Sequence, residues 1–360
     1  MGKSGGARLK KIFEREGIDA LFITKSANQR YLEGFTGTDC FLIASSSKNF
    51  LIADSRYTEM ARDECRTAEV VRHRPPHPPL ARVVAAIAHD NGYFRLGFER
   101  DLMTWGMYDE IRAEAALSGV ELVPTTSVIE GMRAIKTREE IAKIEDSCRI
   151  ADRALEELLP LVRRGVSELD LRTELDYRLK KLGADDVSFE TMLLFGARAS
   201  QPHACSRADV HLMEGDFILI DYGACKDGYR SDTTRTFVCG HASPEQRSAY
   251  GAVLKSQIAS LEMISRGANG REINALAAGI LKRDGLPPFE HGVGHGVGLE
   301  IHEQPFLRQS ADVILEDGMV VTIEPGTYKP GWGGIRIEDT ILVTRSRRIL
   351  TLFPKELIEL

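Results

Sequence analysis

The 360-residue sequence predicts an α/β (α+β) protein, with an N-terminal α/β domain followed by a larger, internally duplicated α+β domain. Three observations support this fold class. Short apolar runs alternate with polar or helical stretches over roughly the first 125 residues, as expected for an α/β domain. Long amphipathic helical patterns replace them from about residue 130. Similar segments then recur about 103 residues apart, which indicates a duplication.

In the N-terminal part, four short apolar runs predict β-strands, at residues 20–24, 40–44, 49–54 and 94–99. The proline cluster RPPHPP at residues 74–79 predicts a rigid loop inside this domain, because strand-like and helical patterns resume on either side of it. The change to long helices follows near residue 130. We therefore predict two domains, residues 1–128 and residues 129–360.

Two long helices of the C-terminal part are predicted to begin at capping boxes, which satisfy free backbone N–H groups at a helix start. The first box pairs Thr137 with Glu140, and the second pairs Ser243 with Gln246. The strand-like segments EGDFILIDYG (214–223) and DGMVVTIEPG (317–326) align at a shift of 103 residues. We therefore predict two related halves, at about residues 137–240 and 243–345, each ending an apolar strand with a carboxylate.

Composition excludes several classes of protein. The formal net charge of -6 argues against a nucleic-acid partner that requires a basic surface. No apolar run approaches the roughly 18–20 residues that span a bilayer, and the N-terminus lacks the apolar core of a signal peptide. The six cysteines are scattered without a CxxC pair, which is typical of reduced thiols. We expect a cytoplasmic protein that binds neither nucleic acid nor membrane.

The segment HGVGHGVGLEIHE, at residues 291–303, contains three histidines separated mostly by glycine. His291 and His295 have the spacing of a zinc-binding helix, but each of the four glycines would cost roughly 1 kcal/mol there. An extended segment is favoured, because its bare edge lets another backbone or a ligand approach closely. In an unbroken strand His302 would point away from the other two, so a bulge or bend must precede it if all three meet. One or two of them would otherwise be hydrogen-bonded structural histidines.

Two turn signals are each flanked by a symmetric pair of acids. Asp221 and Asp232 are equidistant from the turn KDG, and Glu324 and Glu338 are equidistant from Gly331 in PGWGG. Hairpins at these turns would place each pair face to face, with Cα atoms within about 5.5 Å. Facing acids are destabilising unless a cation lies between them. A solvated strand end would suit any one of these acids, but four of them in a duplicated unit favour a metal site.

Four carboxylates and one imidazole suit two divalent ions bridged by carboxylates better than one tetrahedral zinc ion. Two ions about 3.5–4 Å apart activate a water molecule and polarise a carbonyl, which is hydrolytic chemistry. Arg336 lies two residues before Glu338 and would share its face of a strand. Arg336 either holds this carboxylate ionised or is an ordinary strand arginine.

Four motifs, DYGACKDGYRSDTTRTF, HGVGHGVGLEIHE, TIEPGTY and GIRIEDT, occur in this order within residues 130–350. Together they resemble the pita-bread metallopeptidases, the family of methionine aminopeptidase, prolidase and Xaa-Pro aminopeptidase. The resemblance implies a pita-bread catalytic domain in which Asp232 and Glu338 bridge two metal ions. The full ligand set that it implies is Asp221, Asp232, His295, Glu324 and Glu338. We expect manganese, with cobalt, zinc or iron as alternatives.

The same resemblance implies roles in the reaction. A metal-bridging hydroxide would attack the scissile carbonyl, with Glu324 assisting proton transfer and His302 stabilising the oxyanion. His291 and His203, the latter in SQPHACS, would contact the substrate. The candidate catalytic residues are therefore Glu324, His302, His203 and His291. The candidates for substrate binding are His203, His291, His302 and Arg336.

The N-terminal domain narrows the resemblance to proline-specific enzymes. Residues 28–61, with YLEGFTG and DSRY, resemble the creatinase-like N-terminal domain of short bacterial Xaa-Pro aminopeptidases. The resemblance implies an aminopeptidase that acts on proline-containing peptides, and a homodimer. Prolidase, which cleaves only dipeptides, shares the metal site and is the alternative. A non-enzymatic peptide-binding protein on the same fold is the alternative from another class.

Overall fold

The computed structural model describes the backbone of residues 3–360 and the side chains of residues 6–360. The chain forms two compact units, of which the first ends at Met132 and the second runs from Arg133 to Leu360. None of the helices in the described part of the chain is long and apolar enough to cross a membrane.

The first unit is built on one mixed sheet. Its elements are α1 (Lys3–Glu16), β1 (Ala20–Ile23), α2 (Ser26–Glu33), β2 (Phe41–Ser45), β3 (Phe50–Ala53), α3 (Thr58–Glu64), β4 (Glu69–Arg72), α4 (Leu80–Asp90), β5 (Arg95–Glu99), α5 (Trp105–Leu117), β6 (Glu121–Thr125) and α6 (Val128–Arg133). The six strands have the order β4-β3-β2-β1-β5-β6. All four predicted strands are present, and residues 74–79 form a loop between β4 and α4.

Both faces of this sheet are buried. Successive residues of β1 enter different cores, with Leu21 on one side and Phe22 on the other. Helices α4 and α5 pack on the Phe22 side, where Val84 and Ile111 join the core. The unit is therefore an α/β sandwich, as predicted for the N-terminal part.

The second unit contains four helices and thirteen strands among the described residues. They are α7 (Arg138–Leu158), α8 (Glu168–Lys181), β7 (Asp186–Val187), β8 (Met192–Phe195), β9 (Phe217–Tyr222), β10 (Ala224–Lys226), β11 (Tyr229–Arg230), β12 (Thr233–Val238), α9 (Pro244–Met263), α10 (Gly270–Arg283), β13 (Gly294–Gly296), β14 (Glu303–Leu307), β15 (Val320–Ile323), β16 (Gly326–Lys329), β17 (Gly333–Arg336), β18 (Asp339–Val343) and β19 (Arg347–Ile349). Two short 3-10 helices lie at Leu159–Leu161 and Gly196–Ser200.

The predicted duplication is confirmed in this unit. Each half has a long helix that begins at the predicted capping box, α7 in the first half and α9 in the second. A shorter helix follows, and then a three-stranded antiparallel ladder. The ladder is β8-β9-β12 in the first half and β13-β15-β18 in the second. The two halves therefore present equivalent strand ends to one site.

The hairpin of the second half has the predicted register. The strand pairs on either side of Glu324 and Glu338, β15–β18 and β16–β17, have the same register. Glu324 therefore lies opposite Glu338. Both acids stand at strand ends: Glu324 follows β15 and Glu338 precedes β18.

The hairpin of the first half does not have the predicted register. Asp221 pairs with Thr234 rather than facing Asp232, so the prediction is wrong by two residues. The reason is the turn, because Asp227 and Gly228 both have positive φ (50° and 80°) and form a two-residue loop centred one residue later. Asp232 still shares a face with Asp221, because it lies two residues from Thr234 and strand side chains alternate.

The middle of the glycine-rich run, Gly294–Gly296, forms strand β13 between β14 and β15, so the extended conformation is confirmed there. The predicted irregularity before His302 is present as a register shift between His295 and Gly296. Gly294 is required for the approach of β15, because a Cβ atom here would collide with the carbonyl group of Thr322. Gly294 therefore serves backbone packing beside the site.

Gly294→Ala is expected to destabilise the second unit by roughly 1–3 kcal/mol, the usual cost of forcing extra volume into packed structure. Urea unfolding measures this free energy. Gly251→Ala is the matched control, because Gly251 lies within α9 with open space at its Cβ position. Alanine at position 251 should stabilise the helix by about 0.5–1 kcal/mol. Equal stabilities of the two variants would contradict the steric explanation.

Candidate active site

A cavity of about 680 Å³ in the second unit brings the predicted site residues together. Its lining includes all nine of them: His203, Asp221, Asp232, His291, His295, His302, Glu324, Arg336 and Glu338. Sequence positions as distant as 203 and 338 thus meet in one cavity, because the duplicated ladders deliver their strand ends to the same place. The size is typical of a cavity that holds a small molecule or a short peptide.

Three of these residues form a tight, buried cluster. Candidate ligand atoms of Asp232, His295 and Glu338 all lie within 4.8 Å of one another. Glu324 adjoins the cluster, with its Oε1 atom 3.4 Å from His295 Nε2. Asp232 Oδ2 lies 3.5 Å from the same nitrogen. Two carboxylates therefore converge on one imidazole nitrogen.

The hydrogen bonding of His295 determines what that nitrogen can do. Its Nδ1 atom lies 3.1 Å from the carbonyl oxygen of Gly296, a contact that places the ring proton on Nδ1. Burial lowers the pKa of His295 to about 3, so the ring is neutral near pH 7. The lone pair of Nε2 consequently faces the oxygens of Asp232 and Glu324. Three acceptors pointing at one another require a cation or protons between them.

The carboxylates also lack partners within the protein. Asp221 Oδ1 and Glu338 Oε1 are buried without a hydrogen-bond partner in the described part of the chain. Burial raises the pKa of Glu324 to about 8, although the charge of Arg336 acts in the opposite direction. Burial and the neighbouring carboxylates raise the pKa values of Asp232 and Glu338 well above their usual range. Burial thus disfavours the ionised acids unless a cation compensates their charge.

The residues of this site fit a divalent metal ion. Buried oxygens without partners, together with one imidazole lone pair, form a donor set for hard or borderline divalent cations. A bound cation would neutralise the acids and accept the lone pair of His295.

Arg336 contacts a different acid from the one that the sequence suggested. The sequence left two roles open, holding Glu338 ionised or serving as an ordinary strand arginine, but the Nη2 atom of Arg336 donates to Asp221 Oδ2 at 2.5 Å. Its Nε atom donates to the hydroxyl of Thr234 at 3.0 Å, and that hydroxyl donates to Glu338 Oε2 at 2.7 Å. The two-residue register shift of the first hairpin explains the change, because it brings Thr234 opposite Asp221. Arg336 thus reaches Glu338 only through Thr234.

Sequence reasoning missed Tyr328, which connects two predicted residues. Its hydroxyl accepts from Arg336 Nη1 at 2.9 Å and lies 3.1 Å from His291 Nε2. His291 Nδ1 lies 2.7 Å from the carbonyl of Gly292, so Nδ1 carries the proton and Nε2 accepts from Tyr328. Thr234 was missed as well. The available signal was strand alternation, which places every second side chain on the same face. Tyr328 follows Glu324 by four residues, and Thr234 follows Asp232 by two.

The remaining predicted histidines border the open part of the cavity. The ring of His302 packs edge-on against His295, with centroids 4.4 Å apart. Burial lowers the pKa of His302 below its usual range and the pKa of His291 to about 4. His203 lies in the turn after the second 3-10 helix and is exposed. The neutral ring of His302 is thus available as a hydrogen-bonding group, whereas both ring nitrogens of His291 are engaged by Gly292 and Tyr328.

Comparisons with known proteins place the chain in a family. Residues 142–345 match the model of metallopeptidase family M24, and residues 7–135 match the creatinase/prolidase N-terminal domain. The uncharacterized peptidase YqhT of Bacillus subtilis is 38% identical over 353 residues, covering 98% of each chain. The structure of an Xaa-Pro dipeptidase from Bacillus anthracis is 37% identical, with a TM-score of 0.93 over 99% of each chain. That of an X-Pro aminopeptidase from Thermotoga maritima is 29% identical, with a TM-score of 0.88 over 97% of this chain and 100% of the other.

The fold and the buried acid–histidine cluster define a metallopeptidase. The chain belongs to metallopeptidase family M24, with a creatinase/prolidase N-terminal domain before the catalytic domain. The predicted resemblance to the pita-bread family and the predicted fold class are both confirmed.

Proposed function

We propose that the protein is an Xaa-Pro aminopeptidase, which removes the N-terminal residue that precedes proline in a peptide. The observation that carries this proposal is the buried cluster of Asp232, His295 and Glu338 in the wall of the cavity of an M24 chain. Preference for proline is supported by the names of the relatives from Bacillus anthracis and Thermotoga maritima.

Two divalent ions are the proposed cofactors, and manganese suits the oxygen-rich donor set best. Bound in this site, they would activate a water molecule and polarise the scissile carbonyl. The residues that would hold them are Asp221, Asp232, His295, Glu324 and Glu338. Manganese and the homodimer remain predictions.

Glu324 and His302 have the properties that peptide hydrolysis requires. Glu324 adjoins the cluster and lines the cavity, so its carboxylate, ionised when a cation is bound, can take a proton from the attacking water and return it to the leaving nitrogen. His302 is neutral and lines the cavity, so its ring N–H can donate to the oxygen of the tetrahedral intermediate. The chain thus supplies a proton carrier and an oxyanion donor.

His291, Tyr328 and Arg336 form a connected row beside these groups. Because the Nε2 lone pair of His291 is used by Tyr328, this ring presents a fixed face to the substrate. Arg336 neutralises Asp221 and holds it in place. We assign substrate contact to His203 and His291, and to Arg336 where it lines the cavity.

An Xaa-Pro dipeptidase is the second candidate, favoured by the relative from Bacillus anthracis that bears this name. The two candidates share the metal site and the chemistry. They differ only in whether the residue after proline is tolerated, so substrate length separates them.

Metal-stripped protein reloaded with Mn²⁺ is expected to release the first residue from Xaa-Pro-Xaa-Xaa but not from Xaa-Ala-Xaa-Xaa. Chromatography of the products measures this. Cleavage of the dipeptide Xaa-Pro alone would identify the dipeptidase. His295→Ala should abolish every cleavage, because His295 belongs to the buried cluster.

His241→Ala is the matched control, because the side chain of His241 is 95% exposed and lies outside the cavity lining. This variant should retain wild-type rates. If the wild-type protein cleaves no peptide with any of Mn²⁺, Co²⁺, Zn²⁺ or Fe²⁺, the peptidase proposal fails, and a peptide-binding protein on the same fold takes its place.

A further inference from the structure

Four charged residues form an ion cluster outside the cavity lining: Arg133, Lys136, Glu300 and Glu303. The guanidinium of Arg133 donates to Glu303 and also to Glu300, the latter at 2.9 Å. Lys136 Nζ lies 2.9 Å from Glu303 Oε1. Arg133, Lys136 and Glu303 are almost fully buried. Two cations and two anions thus balance one another in the interior of the second unit.

The two acids of this cluster bracket His302. Glu300 lies two residues before the histidine, and Glu303 follows it directly as the first residue of β14. The backbone N–H of Glu300 donates to Glu303 Oε2 at 3.3 Å, which closes the bend that carries His302. A Cβ atom on Gly298 would collide with the Glu303 carboxylate, so this glycine leaves room for the cluster.

Apart from hydrogen bonds to the neighbouring backbone of Leu299 and Ile301, from Arg230 and His295 respectively, His302 has few contacts that orient it. No hydrogen bond to its ring is formed by the residues that the structure describes, and its contact with His295 is an edge-on packing contact. The backbone N–H of Arg230 donates to the carbonyl of Gly298 at 2.9 Å and holds the start of the bend. The end of the bend, where His302 lies, is held by Glu303.

We propose that the cluster of Arg133, Lys136, Glu300 and Glu303 is a positioning device that fixes the bend carrying His302, and so sets the alignment of the oxyanion donor. This inference rests on the proposed function, in which His302 acts on the intermediate. Glu303 is a positioning residue here, because it touches the backbone of the bend and no reacting atom. Alignment matters because an oxyanion donor acts only when it is aimed at the developing charge.

Glu303→Gln is expected to lower kcat by roughly 10- to 100-fold with KM within about twofold, as typical of groups that orient a functional residue. The metal content per chain should not change. In the His302→Ala background the same substitution should change kcat by less than about twofold, because the residue it positions is gone. Equal losses in the two backgrounds, or a wild-type kcat for Glu303→Gln, would overturn the inference.

Glu140→Gln is the control for loss of a buried carboxylate, since Glu140 closes the capping box of α7 and accepts from Tyr229 at 2.8 Å. It should leave kcat unchanged. If Glu303→Gln does not fold, Arg133→Lys takes its place. Arg133 donates to both acids through Nη2, and lysine keeps the charge but ends one bond short of that atom.

A readout independent of activity keeps this inference separate from the proposed function. Hydrogen exchange of the segment 297–304, followed by mass spectrometry in metal-free protein, should be faster in Glu303→Gln than in wild type and unchanged in Glu140→Gln. Unchanged exchange would overturn the positioning role. If wild-type protein cleaves no peptide, the proposed function and the catalytic consequence fail together, while faster exchange would still support the structural restraint.

Discussion

Asp232→Asn is expected to lower kcat/KM for Xaa-Pro hydrolysis by roughly a thousandfold or more, about 4 kcal/mol of transition-state stabilisation. Asp232 is one of the three residues whose ligand atoms lie within 4.8 Å of one another. Asparagine keeps the shape but loses the charge, and its amide N–H can donate to the lone pair of His295 Nε2. The variant should therefore fold without a cation and bind less metal. Elemental analysis and steady-state kinetics on the same sample measure both effects.

Asp152→Asn is the matched control for this substitution. Asp152 is an aspartate of similar burial, 8% exposed against 5% for Asp232, and it accepts from the backbone N–H of Leu352 outside the cavity lining. Its metal content and kcat/KM should stay within about threefold of wild type, whatever its effect on stability. Wild-type metal content and activity in Asp232→Asn would exclude this residue as a ligand.

Much of this site follows from sequence because a duplication repeats one construction twice. An apolar strand that ends in an acid, followed by a tight turn and a second acid, places carboxylates at the same strand ends in both halves. The glycine-rich run was equally informative, since four glycines exclude a helix and an extended strand must then carry His295. These features depend on local rules of turn and strand geometry, which the sequence expresses directly.

The first hairpin shows what sequence symmetry cannot resolve. Counting inward from Asp221 and Asp232 predicts a turn centred between Lys226 and Asp227. In the structure Asp227 and Gly228 take the two positive-φ positions, so the turn is centred between them. A one-residue shift of the turn moves every cross-strand partner by two. Thr234 therefore replaces Asp232 opposite Asp221. The side chain that Arg336 contacts depends on this register.

Contacts that cross between the two halves were also beyond sequence reasoning. Tyr328 and Thr234 belong to different hairpins, and the hydroxyl of each accepts a hydrogen bond from Arg336. The Glu303 carboxylate contacts Arg133 and Lys136, which lie about 170 positions earlier in the sequence. Local spacing rules carry no information about such pairs, because they are set by how the ladders and helices pack.

The affinity of the metal-free protein for Mn²⁺ is expected to rise by roughly 10- to 100-fold per pH unit between about pH 6 and 8, for one or two displaced protons. The direction of this pH dependence follows from the carboxyl groups of the site. Glu324, with a pKa of about 8, holds a proton near neutral pH when no cation is bound, and the raised pKa values of Asp232 and Glu338 act in the same direction. A cation binds the ionised forms, so lower pH opposes binding. His295 is already neutral and contributes no proton.

Isothermal titration of metal-free protein with MnCl₂, in buffers of different ionisation enthalpy, measures both the affinity and the number of protons released. Glu324→Gln should release about one proton fewer at pH 7, because its amide has no proton to lose to the cation. Asp152→Asn, outside the cavity, should leave the proton number unchanged. An affinity independent of pH, with no proton release, would contradict the raised pKa values. The acids would then be ionised before metal binds, and Arg336 would have to compensate more of their charge than its contacts with Asp221, Thr234 and Tyr328 suggest.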